Sequence, residues 1–119
     1  MRPFLFAATL VFSLPALSAE VDQHSALQAL EQPGAVLIDV RSDAEHAAGA
    51  LPDARHIVHS RIAAQIADVA PDKDSPIVLY CRSGSRSSSA QDTLTGLGYR
   101  QVFNAGGYDD LKTVLDSRE

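Results

Sequence analysis

The 119-residue chain contains one cysteine, Cys81, at the head of the run Cys81-Arg82-Ser83-Gly84-Ser85-Arg86-Ser87. A lone thiol in a small domain is either a buried, inert hydrophobe or a reactive group. Periodicity alone favours the first, but a Gly/Ser/Arg segment is a poor wall for an apolar pocket, so the flanking residues favour the second. Small residues let successive backbone N–H groups curl toward one point, and a helix beginning next would aim its N-terminus there. Such a loop is an anion cradle. The same features act on the sulfur. A free thiol with a pKa near ~8.5 is mostly protonated at pH 7, and helix N-termini and neighbouring arginines lower that value. Arg82 and Arg86 stand where they can supply part of the effect. The chemistry that fits is attack by a Cys81 thiolate on an anionic substrate.

The elements that must position this loop follow from the apolar pattern. Short apolar runs alternate with segments of helical period, which predicts an α/β domain with a mostly parallel central sheet flanked by helices. Ile77-Val78-Leu79-Tyr80 is continuous and apolar, as in a central strand of a parallel sheet, and Cys81 falls at its carboxyl end. Ligands in open α/β sheets gather outside that end. Ala35 to Val40 reads as a second buried strand, delivering Asp39 and Arg41 to the same edge, and Val102-Phe103 as a last short one. Arg55 to Val58 is a further short strand. Helices are expected over residues 25–31, where Ser25 and Gln28 form a capping box, and over Ala44 to Ala48, ended by Gly49. Another is capped by Ser60, carries Ile62, Ile66 and Val69 on one face, and is closed by Pro71. After the cysteine loop, Ala90, Leu94 and Leu97 share a helical face before Gly98. Gly106-Gly107 reads as a tight turn ahead of a final helix with Leu111, Val114 and Leu115.

The first residues read as a secretory leader. Arg2 precedes an apolar run from Phe4 to Leu17 that closes on Ala16-Leu17-Ser18-Ala19. The run is shorter than the ~20 apolar residues of a membrane span and contains Pro15. Cleavage is expected after Ala19, or after Ser18, leaving residues 20–119 as one domain in the periplasm with no membrane anchor. Roughly 100 residues bury one core, not two. The whole chain carries a net charge of −5, and loss of Arg2 makes the mature domain one unit more negative, with no basic block that would point to nucleic acid. In this acidic domain, an arriving anion needs a local positive site. One cysteine also rules out an internal disulfide.

Other polar residues read more simply. Asp39 and Arg41 fit a structural role, fixing loops by an ion pair or by backbone hydrogen bonds, Glu45 a partner for a loop arginine, and Ser87, Ser88 and Ser89 a helix start. His56 and His59 with His46 lack the spacing and carboxylate of a metal site. All four histidines are expected at the surface or in packing.

The Cys81 to Ser87 loop resembles the active-site loop of rhodanese domains, with cysteine first and arginine five residues later. Leu37-Ile38-Asp39-Val40-Arg41 with Glu45, Gly49-Ala50-Leu51-Pro52-Asp53-Ala54, Gly96-Leu97-Gly98-Tyr99 and Asn104-Ala105-Gly106-Gly107-Tyr108 match the family's pattern in order. The resemblance spans nearly all of the chain after the leader. It implies a single rhodanese-like domain and a two-step sulfur transfer without metal or organic cofactor. Cys81 would take the outer sulfur of thiosulfate as a persulfide and pass it to cyanide or a thiol. In that scheme, Arg82, Ser83, Gly84, Ser85, Arg86 and Ser87 bind the anionic donor. Ala50 stands where many members have histidine, and Tyr108-Asp109-Asp110-Leu111 replaces an ending that often carries tryptophan. Both departures bear on substrate preference and leave the sulfur carrier in place.

Two other functions share the same cysteine. Phosphatases of related architecture bind phosphate in a cysteine–arginine loop, but with one residue more between the two than the four found here. A non-catalytic persulfide carrier or binding module would use an identical loop.

Overall fold

The computed structural model describes residues 21–118, so the leader expected over 1–19 lies outside the described residues. Four strands form one parallel sheet in the order β2-β1-β3-β4: β1 (Val36–Asp39), β2 (Arg55–His56), β3 (Ile77–Cys81) and β4 (Val102–Gly107). Among the described residues, five α-helices accompany them: α1 (Gln23–Leu30), α2 (Asp43–Ala47), α3 (Ile62–Val69), α4 (Ser85–Gly96) and α5 (Tyr108–Ser117). The expected α/β architecture is the one observed, and no described helix is long and apolar enough to cross a membrane.

Strand periodicity divides the core. Side chains alternate between sheet faces, so Ile77, Leu79 and Cys81 of β3 pack with Ile38, Ile62, Ile66, Ala90 and Leu94 on the face covered by α3 and α4. Val78 and Tyr80 join Leu37, Ala26, Ala29, Ala105 and Leu111 on the face covered by α1 and α5. Every residue of β3 is buried, which explains its unbroken apolar run. The chain leaves β1 toward β2 and leaves β3 toward β4, so the ends of β1 and β3 flank the point where the sheet order reverses. Open sheets bind ligands at such a point.

Local details differ from the sequence expectations. Helix α1 starts earlier, because Asp22 rather than Ser25 is its N-cap and accepts the Ser25 N–H at 3.1 Å. The capping box belongs to α2, where Ser42 and Glu45 cap each other's backbone. Ser60 lies in a 3₁₀ turn, His59–Arg61, and α3 begins after it with no side-chain cap. Leu97 falls past the end of α4 and is 43% exposed, so it leaves the apolar face shared by Ala90 and Leu94. Gly106 and Gly107 are not a turn. They end β4, which therefore extends four residues beyond Phe103 and reaches the cysteine loop.

Candidate active site

The loop after β3 is short. Helix α4 begins at Ser85, so Arg82, Ser83 and Gly84 alone bridge strand and helix, and Arg86 and Ser87 lie in the first helical turn. Gly84 makes this possible by taking φ +105° as the helix N-cap, a conformation that L side chains rarely adopt.

The sulfur sits at the floor of the resulting cup. Cys81 has no exposed surface, and its Sγ receives the Gly84 N–H at 2.9 Å and the Ser87 N–H at 3.4 Å, with Ser87 Oγ also at 3.4 Å. Burial alone would push the thiol pKa up. The hydrogen bonds from the Ser87 hydroxyl and from the N–H groups of Ser87, Ser83 and Gly84 outweigh it and hold the thiol below its ordinary value. The anionic form of the sulfur is thus supported mainly by loop donors rather than by the arginines.

The predicted loop residues take separate places. Gly84 and Ser87 are buried against the sulfur, while Ser83 and Ser85 are exposed on the rim. Arg86 is half-buried and gripped by Glu45 of α2, Nη1 to Oε1 at 2.7 Å and Nη2 to Oε2 at 3.0 Å. That bidentate pair, with the Ser42 backbone and hydroxyl, keeps the Glu45 carboxyl far below the usual carboxylate range. Glu45 thus does orient a loop arginine. Arg82 is exposed and lines an open cleft with Arg41, Glu45, Ala48, Tyr108 and Asp109.

Behind the cleft, Asp39 and Arg41 take the structural role expected of them. Arg41 Nη2 meets Asp39 Oδ2 at 2.7 Å and the Gly49 carbonyl at 2.5 Å, and its guanidinium lies 4.3 Å from the Tyr108 ring centre. Tyr80 OH donates to Asp39 Oδ2 at 2.9 Å and accepts the Leu51 N–H at 3.1 Å. This network ties the end of β1 to the strand that carries Cys81. His46 and His56 stack with ring centres 4.2 Å apart, a packing role.

Asn104 and Tyr108, the two ends of the Asn104–Tyr108 motif, carry roles that the motif alone does not assign. Asn104 is a fully buried amide in β4 that reaches the loop, and Tyr108 covers Arg41. The signal for Asn104 was present: an uncharged polar residue of low strand propensity inside Val102-Phe103-Asn104-Ala105.

Comparison with known proteins agrees with this geometry. The family model described as Rhodanese-like domain matches residues 22–113. The chain is similar to thiosulfate sulfurtransferase PspE of Escherichia coli strain K12, 34% identical over 107 residues that cover 90% of this chain and 88% of the relative. It is also similar to thiosulfate sulfurtransferase GlpE of Pseudomonas syringae, 37% identical over 73% of this chain and 81% of that protein. Among solved structures, a rhodanese with anions from E. coli superposes with a TM-score of 0.62 at 33% identity, covering 64% of this chain and 89% of the other.

Proposed function

The chain belongs to the rhodanese-like domain family, and from that footing we propose that it is a thiosulfate sulfurtransferase working through a persulfide on Cys81. The observation that carries the reading is the cup itself: a buried sulfur with backbone N–H groups of Gly84 and Ser87 directed onto it. In the first step, the Cys81 thiolate attacks the outer sulfur of thiosulfate. A new S–S bond forms, the bond to the sulfonate sulfur breaks, and sulfite leaves with the electron pair. In the second, cyanide or a thiolate attacks the outer sulfur of the persulfide and Cys81 departs as a thiolate. The donors that lower the thiol pKa favour both the attacking and the departing form. Oxyanions of the donor would meet Ser83, Ser85 and Arg82 at the rim, with Arg86 held beside them by Glu45. The names of the relatives support the choice of thiosulfate. The leader-like residues 1–19 support a periplasmic site of action.

Incubation with thiosulfate should add the mass of one sulfur to the protein, and cyanide should remove it with release of thiocyanate. Intact-mass spectrometry reads the adduct. A chain that gains no sulfur, or that hydrolyses a phosphate ester in the parallel control, would overturn the reading.

The cup also depends on Gly107. A Cβ built there would lie 2.5 Å from the Arg82 carbonyl oxygen and 3.5 Å from Ser83 Cα, so Gly107→Ala must push the loop away from β4. Misplacing reacting groups by about 1 Å can cost ~10²-fold in rate. The expected result is a loss of that order in kcat/KM for thiosulfate, in a protein that still melts cooperatively. Activity within twofold of the parent would show that the loop does not need this contact.

A further inference from the structure

Asn104 is wholly buried, a polar side chain on the α4 face of the sheet in register with Leu79 of β3. Its amide uses its full capacity of two acceptor and two donor bonds. Oδ1 accepts the Gly106 N–H at 2.9 Å and the Ser87 hydroxyl at 2.7 Å, while Nδ2 donates to the Gly84 carbonyl at 3.0 Å and to Ser88 Oγ at 2.8 Å. The Gly106 N–H can only donate and the Gly84 carbonyl can only accept, so the amide has one orientation. Two of the four partners, Gly84 and Ser87, are the residues whose N–H groups point at Cys81 Sγ.

We propose that Asn104 is a positioning residue of the cysteine loop, clamping the Gly84 carbonyl and the Ser87 hydroxyl so that the loop's donors converge on the sulfur. The proposal rests on the reading of Cys81 as the sulfur carrier. The Ser87 hydroxyl has one proton and three acceptors in reach: Asn104 Oδ1 at 2.7 Å, the Gly84 carbonyl at 3.1 Å and Cys81 Sγ at 3.4 Å. With a neutral thiol, the proton rests on Asn104, the nearest acceptor. With a thiolate it turns to the sulfur, and nothing is orphaned, because Oδ1 keeps the Gly106 N–H and the Gly84 carbonyl keeps Asn104 Nδ2 and the Ser88 hydroxyl. An unmade bond at a buried polar group is expensive, so a network complete in both states lets the sulfur change charge cheaply.

The test is the pH profile of Cys81 alkylation by iodoacetamide on the full chain, which needs no sulfur transfer. Asn104→Asp keeps the shape, removes both donors and places a stronger acceptor on the Ser87 hydroxyl. Its midpoint should rise by about one pH unit, equivalent to ~tenfold less thiolate at a given pH below it. Asn104→Thr, which loses the clamp on Gly84 without adding charge, should rise by roughly half as much. In a Ser87→Ala background, the shift caused by Asn104→Asp should fall to less than half, because the hydroxyl that transmits it is gone. The other charged groups near the sulfur are Arg86, which it attracts, and the Glu45 carboxylate paired to Arg86. They are the same in every variant. A folded Asn104 variant with the parent's midpoint, or a shift undiminished without Ser87, overturns the proposal, and Asn104→Thr decides the matter if Asn104→Asp does not fold. Failure of the parent to take sulfur from thiosulfate would strike the sulfurtransferase reading alone and leave the alkylation midpoints meaningful.

Discussion

Cys81→Ser is expected to abolish both the sulfur adduct and turnover with thiosulfate and cyanide, a loss of roughly 10³-fold or more, while the fold persists. Serine is nearly isosteric and can take the Gly84 and Ser87 N–H bonds that now end on sulfur. Its hydroxyl, however, stays protonated near neutral pH and cannot carry a sulfane sulfur. The site lies on the α4 face among Ile38, Leu79 and Ala90, where a hydroxyl costs some burial energy but keeps its hydrogen bonds. Intact mass after thiosulfate, the rate of thiocyanate formation and a thermal melt together decide the outcome. Residual turnover above about 1% of the parent would move the nucleophile elsewhere, since no described residue besides Cys81 offers a thiol.

What made Cys81 legible was its setting at the end of a strand that is apolar without interruption. Ile77 to Tyr80 can only be buried on both faces, and a parallel strand of that kind delivers its next residue to the ligand edge of the sheet. The structural role of Asp39 and Arg41 was legible from their place at the end of a buried strand, while the choice between ion pair and backbone bonds was not; the structure has both, the side-chain pair and the Arg41 N–H on the carboxylate. The length of the loop was not legible. Whether α4 starts at Ser85 or beyond the serine run depends on Gly84 adopting φ +105°, and that residue is packed between Gly106 and Val21, which are remote in sequence. Periodicity carried Leu97 onto the buried face because it has no means of detecting that the helix stops one residue earlier. The double glycine read as a turn because a Gly-Gly dipeptide usually marks one. Here Gly107 provides the space into which the Arg82 carbonyl fits.

The source of the thiolate's stabilisation shows the same division. Sequence proximity pointed to Arg82 and Arg86, but side-chain direction is tertiary. Glu45, positioned by its own capping box with Ser42, draws Arg86 to the rim, and Arg82 faces the cleft. Helix geometry leaves the nearer work to backbone N–H groups and Ser87. An acidic domain thereby keeps a compact donor set on the sulfur while presenting arginines at the rim above it.

Asp39→Ala is expected to be the most destabilising single change in the site's support. The carboxylate is fully buried and accepts from Arg41 Nε and Nη2, from the Arg41 backbone N–H and from Tyr80 OH. Burial would raise its pKa, but the bonds from Arg41 and Tyr80 prevail and hold it below the usual aspartate value. Its removal leaves the Arg41 guanidinium, 6% exposed, with the Gly49 carbonyl and two aromatic faces as its remaining partners. Breaking a buried pair in this way costs about 3–5 kcal/mol. For a domain of about 100 residues, that lowers Tm by more than about 12 °C. The double variant Asp39→Ala/Arg41→Met, which leaves no orphaned charge, should recover part of the loss. A folded-state pKa depressed below the unfolded one gives stability that is fully present above about pH 4 and is lost as pH falls through the folded value. The Tm gap between parent and Asp39→Ala should therefore be widest near neutral pH and narrow below about pH 4. A gap under about 4 °C at pH 7, or one that widens on acidification, would show that the pair does not hold this end of β1.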